Sequence, residues 1–259
     1  MSKVFIAVPT AEFARQAIFY DYYNLLKKPE GTICAFAHGQ SPARNRNVLI
    51  EQALAHDCSH VFFLDDDLTF APDILEKLLA HDKDIVSGYY LMRSYPHKPI
   101  LFSVVLPDGR CRTAYPVDGV EPGLIPMVAN GLGCCLINTQ VFKDMQKPWI
   151  RLGEMEKDHW GDDIGFFHRV RQEAPHVEMF TDLSVTCGHM AVAAVWPIYQ
   201  DGKWHVCYDT QGPGRLAFPA IRHEYPEEKA TVTRVFMQHL EQLGRSLAHT
   251  QCCRCLWLP

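Results

Sequence analysis

A short apolar run that ends in three carboxylates limits what this chain can fold into. Val61, Phe62, Phe63 and Leu64 run straight into Asp65, Asp66 and Asp67. Four consecutive apolar residues, with no polar alternation, predict a strand covered on both faces, as in a parallel sheet. Such a strand meets water only where it ends. Three acidic side chains there repel one another and are not buried unpartnered, so they need solvent or a cation. Ligands of open α/β sheets gather at the carboxyl ends of strands, and this strand delivers its acids there. Hard oxygen donors at that spacing suit Mg²⁺ or Mn²⁺, with water and phosphate completing the shell. The competing reading is an acidic loop opening a helix near Ala71 and Pro72, since acids favour helix N-termini. Capping, however, needs one acid, not three.

The flanking sequence repeats the strand–helix pattern. Val4 to Val8 reads as a strand stopping at Pro9 and Thr10, and Glu12 to Lys28 carries Phe13, Ala17, Tyr20 and Leu25 roughly at helical spacing. Thr32 to Phe36 is a second strand. Ser41 followed by Pro42 predicts an N-cap and first turn for a helix that turns Val48, Leu49, Ala53 and Leu54 inward. A helix from Pro72 to about His81 and a strand from Asp84 to Tyr90 follow. This alternation is the signature of a doubly wound, mostly parallel sheet. With 259 residues, 47% of them hydrophobic, the chain is long enough for one large α/β domain.

Arg44, Asn45 and Arg46 sit in the first turn of the helix that Ser41 opens. Cations there oppose the helix dipole. Either a phosphate compensates, helped by free amides, or nearby acids do so in salt bridges.

Beyond Arg93 the pattern changes. Asp108-Gly109 and Asp201-Gly202 lie between apolar runs as hairpin turns. Gly131 and Gly133, within Met127 to Ile137, let the backbone approach something closely. Asp162 and Asp163 open a helix through Arg171. Thr181 to Thr186 is a strand ending in Cys187-Gly188-His189. Glu227 to His249 has the amphipathic spacing of a packing helix. A single domain over 1–259 is therefore expected. Its halves would be a nucleotide-binding part (1–92) and an acceptor and catalytic part (93–190), with a C-terminal hairpin and helix (191–259).

Bulk properties narrow the partners. A net charge of −5 and no basic arm do not favour nonspecific nucleic-acid binding. Arg93, His97, Lys98 and Arg110 still offer a local track for phosphates. No apolar run is long enough to span a bilayer, and the N-terminus lacks the apolar core of a signal peptide. The ten cysteines then read as reduced thiols in a cytoplasm. Cys252, Cys253 and Cys255 lack a second pair at zinc spacing.

The order of the motifs resembles the small bacterial and phage glycosyltransferases of the GT-A, Rossmann-like fold, with a mostly parallel central sheet and added antiparallel hairpins. The likeness spans about Lys3 to His189. It rests on Ala43-Arg44-Asn45, Leu64-Asp65-Asp66-Asp67 as a DxD motif, Gly88-Tyr89-Tyr90 with Arg93, Asn130-Gly131-Leu132-Gly133-Cys134, and Asp162-Asp163 followed by His189. The family usually has Glu-Asp where this chain has Asp162-Asp163.

The resemblance implies a nucleotide-sugar donor, usually a UDP-sugar such as UDP-glucose, held by Mn²⁺ or Mg²⁺. Asp65 would lie near ribose and metal, Asp66 beside it on the donor side, and Asp67 would bind the metal together with His189. A lone histidine is otherwise more often structural. Arg44 and Asn45 would help hold the nucleotide, and Pro9 and Thr10 would line the base pocket. The Gly131–Gly133 turn would pass close to the donor sugar. On the acceptor side stand Arg93, Asp162 and Trp160, the last offering an aromatic face or serving as core.

The chemistry fits without the family. A cation stabilises a departing diphosphate, and a carboxylate opposite takes the acceptor's proton. Asp163 is the expected base of an inverting transfer, kept ionised by its place at a helix start. The alternative is a helix cap. The acceptor is a glycan, a lipid, or a hydroxymethylated pyrimidine in DNA. Two other readings are a nucleotidyltransferase, which would carry a Gly-rich loop where Pro9-Thr10-Ala11-Glu12 stands, and an inactive sugar-nucleotide-binding module.

Overall fold

The computed structural model describes residues 2–10, 13–94, 97–105, 111–116, 118–151, 161–190 and 194–209. The helix expected over Glu227 to His249, the terminal cysteines and Trp160 lie outside them. Three strands open the sheet: β1 (Val4–Pro9), β2 (Ile33–Ala37) and β3 (His60–Leu64), with β1 parallel to both neighbours. Between them run helices α1 (Phe13–Leu25) and α2 (Pro42–Ala55). Next come β4 (Leu68–Phe70), α3 (Ile74–Ala80) and β5 (Ile85–Tyr89). The expected strands at 4–8, 32–36, 61–64 and 84–90 are all present.

The apolar runs are strands because both faces are covered. Phe5, Ala7, Val61 and Phe63 pack with Leu49, Ile50 and Ala53 of α2. Val4, Ile6, Phe62 and Leu64 pack with Phe19 and Tyr22 of α1 and with Ile74, Leu75 and Leu78 of α3. Successive residues of a strand point to opposite faces, so an uninterrupted apolar run is what a sheet between two helical layers requires. Each of the valine, leucine, isoleucine and phenylalanine side chains contributes about 1.5–3 kcal/mol on full burial.

The second half adds β6 (Leu101–Val105), β7 (Cys111–Thr113), β8 (Leu124–Pro126), β9 (Ala129–Asn130), β10 (Cys134–Asn138), α4 (Thr139–Asp144) and α5 (Asp162–Glu173). It closes with β11 (Met179–Met190) and the hairpin β12 (Ala194–Gln200) and β13 (Lys203–Asp209). The main sheet runs β13-β12-β11-β5-β10-β3-β1-β2, and β7-β6-β9 form a small antiparallel sheet. β10 enters antiparallel between β3 and β5. This insertion brings the Gly131–Gly133 turn to the carboxyl edge of β3.

Two features differ from expectation. The three acids do not lead directly into a helix. They form a turn into β4, which pairs antiparallel with the end of β11, His189 opposite Leu68. α3 begins only at Ile74, and the Asp73 at its N-cap makes no side-chain capping bond. β11 is also longer than the expected strand. Its register shifts between Asp182 and Thr186, and its second half leaves β5 to pair with β4 and β12.

Candidate active site

The acids of β3 and the acids of α5 meet at the carboxyl edge of the sheet. The Asp65 amide donates to the Gly133 carbonyl at 2.8 Å, which fixes the acidic turn against the glycine turn. The Gly133 amide in turn donates to the Tyr90 hydroxyl at 2.9 Å. A Cβ at Gly131 would run into that same hydroxyl. What these glycines approach closely within the chain is therefore Tyr90.

Arg46 joins the two acid clusters. Its Nη2 lies 3.0 and 3.2 Å from the two oxygens of Asp65. Its Nη1 lies 2.7 Å from Asp162 and 3.2 Å from Asp163. The side chain is only 5% exposed. Burial alone would lower its pKa, but Asp65, Asp163 and Asp162 together raise it, so it is a fixed cation. Of the two compensations weighed for the first turn of α2, acids answer Arg46. Sequence reasoning assigned Arg46 no place in the site. A signal was available: Ala43, Arg46, Leu49, Ile50 and Ala53 share the helical spacing of one face, and all are buried.

Asp163 departs from its expected electrostatics. A helix start should hold its carboxyl low. Instead burial pushes the carboxyl up to about 7, against the pull of Arg46 and the Leu132 amide, with Asp162 and Asp65 raising it further. Asp65 is raised as well, by burial first and by the charge of Asp67. One guanidinium facing three carboxylates leaves two negative charges over, and that excess opposes ionisation.

Asp67 lies on the other side of the turn. Arg93 Nη1 donates to its Oδ2 at 3.0 Å. His189 Nε2 stands 3.4 Å from the same oxygen, and His189 Nδ1 stands 2.8 Å from the Leu91 carbonyl. That second contact favours the proton on Nδ1 and aims the Nε2 lone pair at Asp67, the orientation metal-binding histidines take. Burial lowers the His189 pKa, but Asp67 outweighs it and the net shift is upward. The donor set expected for a cation is thus divided: Asp67 and His189 stand together, and Asp65 turns to Arg46. Among the described residues, no three His, Cys, Asp or Glu side chains form a ready cation cage.

The remaining expected residues are spread more widely. Pro9 ends β1, and Thr10 donates its hydroxyl to buried Asp66. Asn45 is buried and its amide donates to the Gln40 carbonyl at 3.3 Å. Arg44 instead lines an open groove of about 1140 Å³ with Ser41, Asn47, Val48 and Arg151.

Comparison with known proteins bears on the class and the fold of the chain. Residues 40–100, which hold Arg46, the acidic turn and Arg93, match Anp1, a glycosyltransferase-related family. No curated protein sequence matches the chain. Among solved structures, A197 from STIV is similar at 16% identity and a TM-score of 0.52, covering 87% of this chain and 100% of that one. This likeness is one of fold. The catalytic domain of Drosophila β1,4-galactosyltransferase 7, in complex with xylobiose, aligns at 15% identity and a TM-score of 0.45, covering 71% of this chain and 66% of that one. That is too distant to inform the site. Among the described residues, no helix is long and apolar enough to cross a membrane.

Proposed function

We propose that the chain is a metal-dependent, inverting glycosyltransferase that moves a hexose from a nucleotide-sugar donor, a UDP-sugar, to an acceptor hydroxyl. The observation that carries this reading is the pairing of two acid clusters at one sheet edge, Asp65–Asp67 after β3 and Asp162-Asp163 at the start of α5, held together by Arg46. The match to Anp1 over residues 40–100 supports the same class.

On the donor side, Thr10 and Pro9 border the base, and Asp65 and Asp66 face the ribose. Asp67 and His189 are the residues that would hold Mn²⁺ or Mg²⁺. An imidazole nitrogen and a carboxylate oxygen side by side are donors that such an ion would take. When bound there, such a cation would supply positive charge to a departing diphosphate. Arg93, already on Asp67, adds a second positive group at the rim.

On the acceptor side, Asp162 orients the hydroxyl and Asp163 takes its proton. The acceptor oxygen attacks the anomeric carbon from the face opposite the nucleotide. The carbon–oxygen bond to the diphosphate breaks, and the nucleoside diphosphate leaves. A carboxyl near 7 suits this task. It is basic enough to accept a proton from the acceptor hydroxyl as that hydroxyl attacks.

The test is UDP release from UDP-glucose with Mn²⁺ and an acceptor screen. Release that stops with EDTA and returns with Mn²⁺ supports the reading. Release indifferent to EDTA, or none from any UDP-sugar, removes it.

A further inference from the structure

Arg46 comes from α2, Asp65 from the end of β3, and Asp162 and Asp163 from α5, more than a hundred residues away in sequence. A planar guanidinium presents its N–H groups as a rigid fork, which a lysine ammonium cannot reproduce. Here both terminal nitrogens of the fork are on acids, Nη2 on Asp65 and Nη1 on Asp162 and Asp163, while the buried Nε makes no hydrogen bond among the described residues.

We propose that Arg46 is a positioning residue that locks Asp65, Asp162 and Asp163 into one fixed arrangement, so that a single guanidinium sets the donor side of the site relative to its acceptor side. The geometry stands by itself. Its catalytic consequence rests on the transferase reading above. A carboxylate displaced by about an ångström loses much of its effect on a reacting group, so the positioning matters even though Arg46 need touch no substrate. The groups facing Asp163 are Arg46 from α2, Asp162 on its own helix, Asp65 from the end of β3, Tyr90 beyond β5 and Cys135 on β10. Among these Arg46 is the one cation.

The first arm of the test is a double-mutant cycle in urea at pH 8, free of any substrate. Arg46→Met is combined with Asp163→Asn and, separately, with Asp65→Asn. A bridging Arg46 predicts that the fall in folding equilibrium constant caused by Arg46→Met is at least tenfold smaller in each Asn background. Effects that add to within threefold in both backgrounds overturn the proposal. If Arg46→Met does not fold, Arg46→Lys enters the same cycle with the same criterion.

The second arm is kinetic. Arg46→Lys should lower kcat by roughly 10²-fold and move the acid limb of the kcat/KM profile to higher pH, because Asp163 loses part of its counter-charge. An unchanged acid limb with kcat within threefold of wild type overturns the positioning role. A wild type that turns over no nucleotide sugar ends the transferase reading, and the urea cycle then decides Arg46 alone.

Discussion

Replacing Asp163 with asparagine should stabilise the protein at alkaline pH while removing turnover. In the fold its carboxyl is pushed up to about 7 from 3.8. A carboxyl raised in the folded state stabilises the fold fully below its unfolded value. That contribution is lost as pH rises through the folded value, here between about 4 and 7. At pH 8 the wild type therefore carries the whole penalty of an ionised Asp163, and the uncharged amide does not. A difference of about three pH units corresponds to a ceiling of about 4 kcal/mol. The side chain is 30% exposed and shares its field with Asp65, so screening reduces the expectation to about 1–3 kcal/mol. Arg46 keeps Asp65 and Asp162 in the variant and is not left unpaired. Urea unfolding of both proteins from pH 4 to pH 8 measures this, provided the slopes agree. The variant should match wild type near pH 4 and gain steadily above it. A helix cap would leave stability nearly unchanged, because asparagine caps about as well as aspartate, and the N-cap of α5 is Gly161, with no side-chain capping bond. A flat or reversed difference would refute the reasoning.

Three further outcomes follow from the same geometry. Asp67→Ala should abolish Mn²⁺-dependent UDP binding by calorimetry while the fold remains intact by circular dichroism; wild-type affinity would show that Asp67 is no metal ligand. His189, lowered by burial but raised further by Asp67, pairs with Asp67 when protonated, stabilising the fold at low pH and losing that contribution as pH rises through its raised value. UDP and Mn²⁺ should therefore bind more tightly at pH 8 than at pH 6, by about tenfold or more, and His189→Gln should flatten that dependence. Gly131→Ala, whose Cβ would meet the Tyr90 hydroxyl, should cost about 1–3 kcal/mol in urea, part of it recovered by adding Tyr90→Phe.

Much of the frame is legible in the sequence because its signals are local. The apolar runs of β1, β3 and β5 need both faces covered, and that alone implies two helical layers. Ser41 does cap α2, its hydroxyl accepting the Arg44 amide at 3.4 Å. Asp201 and Gly202 take the positive φ values, 52° and 73°, that their hairpin turn demands. What escaped is tertiary. β4 is three residues long, too short for periodicity to register, and exists because β11 bends to meet it. The inward turn of Arg46 rather than Arg44 is written in the helical phase. Its meaning depends on Asp162 and Asp163 arriving from a distant segment. Asp163's raised pKa follows from that meeting and from burial, neither of which a helix-start argument contains.

The central claim is that a divalent cation and a nucleoside diphosphate share the acidic turn, with Asp163 across the donor sugar from them. A crystal soaked with UDP and Mn²⁺, with data collected at the manganese edge, tests it most directly. The account predicts one anomalous peak within bonding distance of Asp67 and His189, with the UDP diphosphate on the same ion. A peak far from His189, or UDP seated in the Arg44 groove away from Asp65, would contradict it.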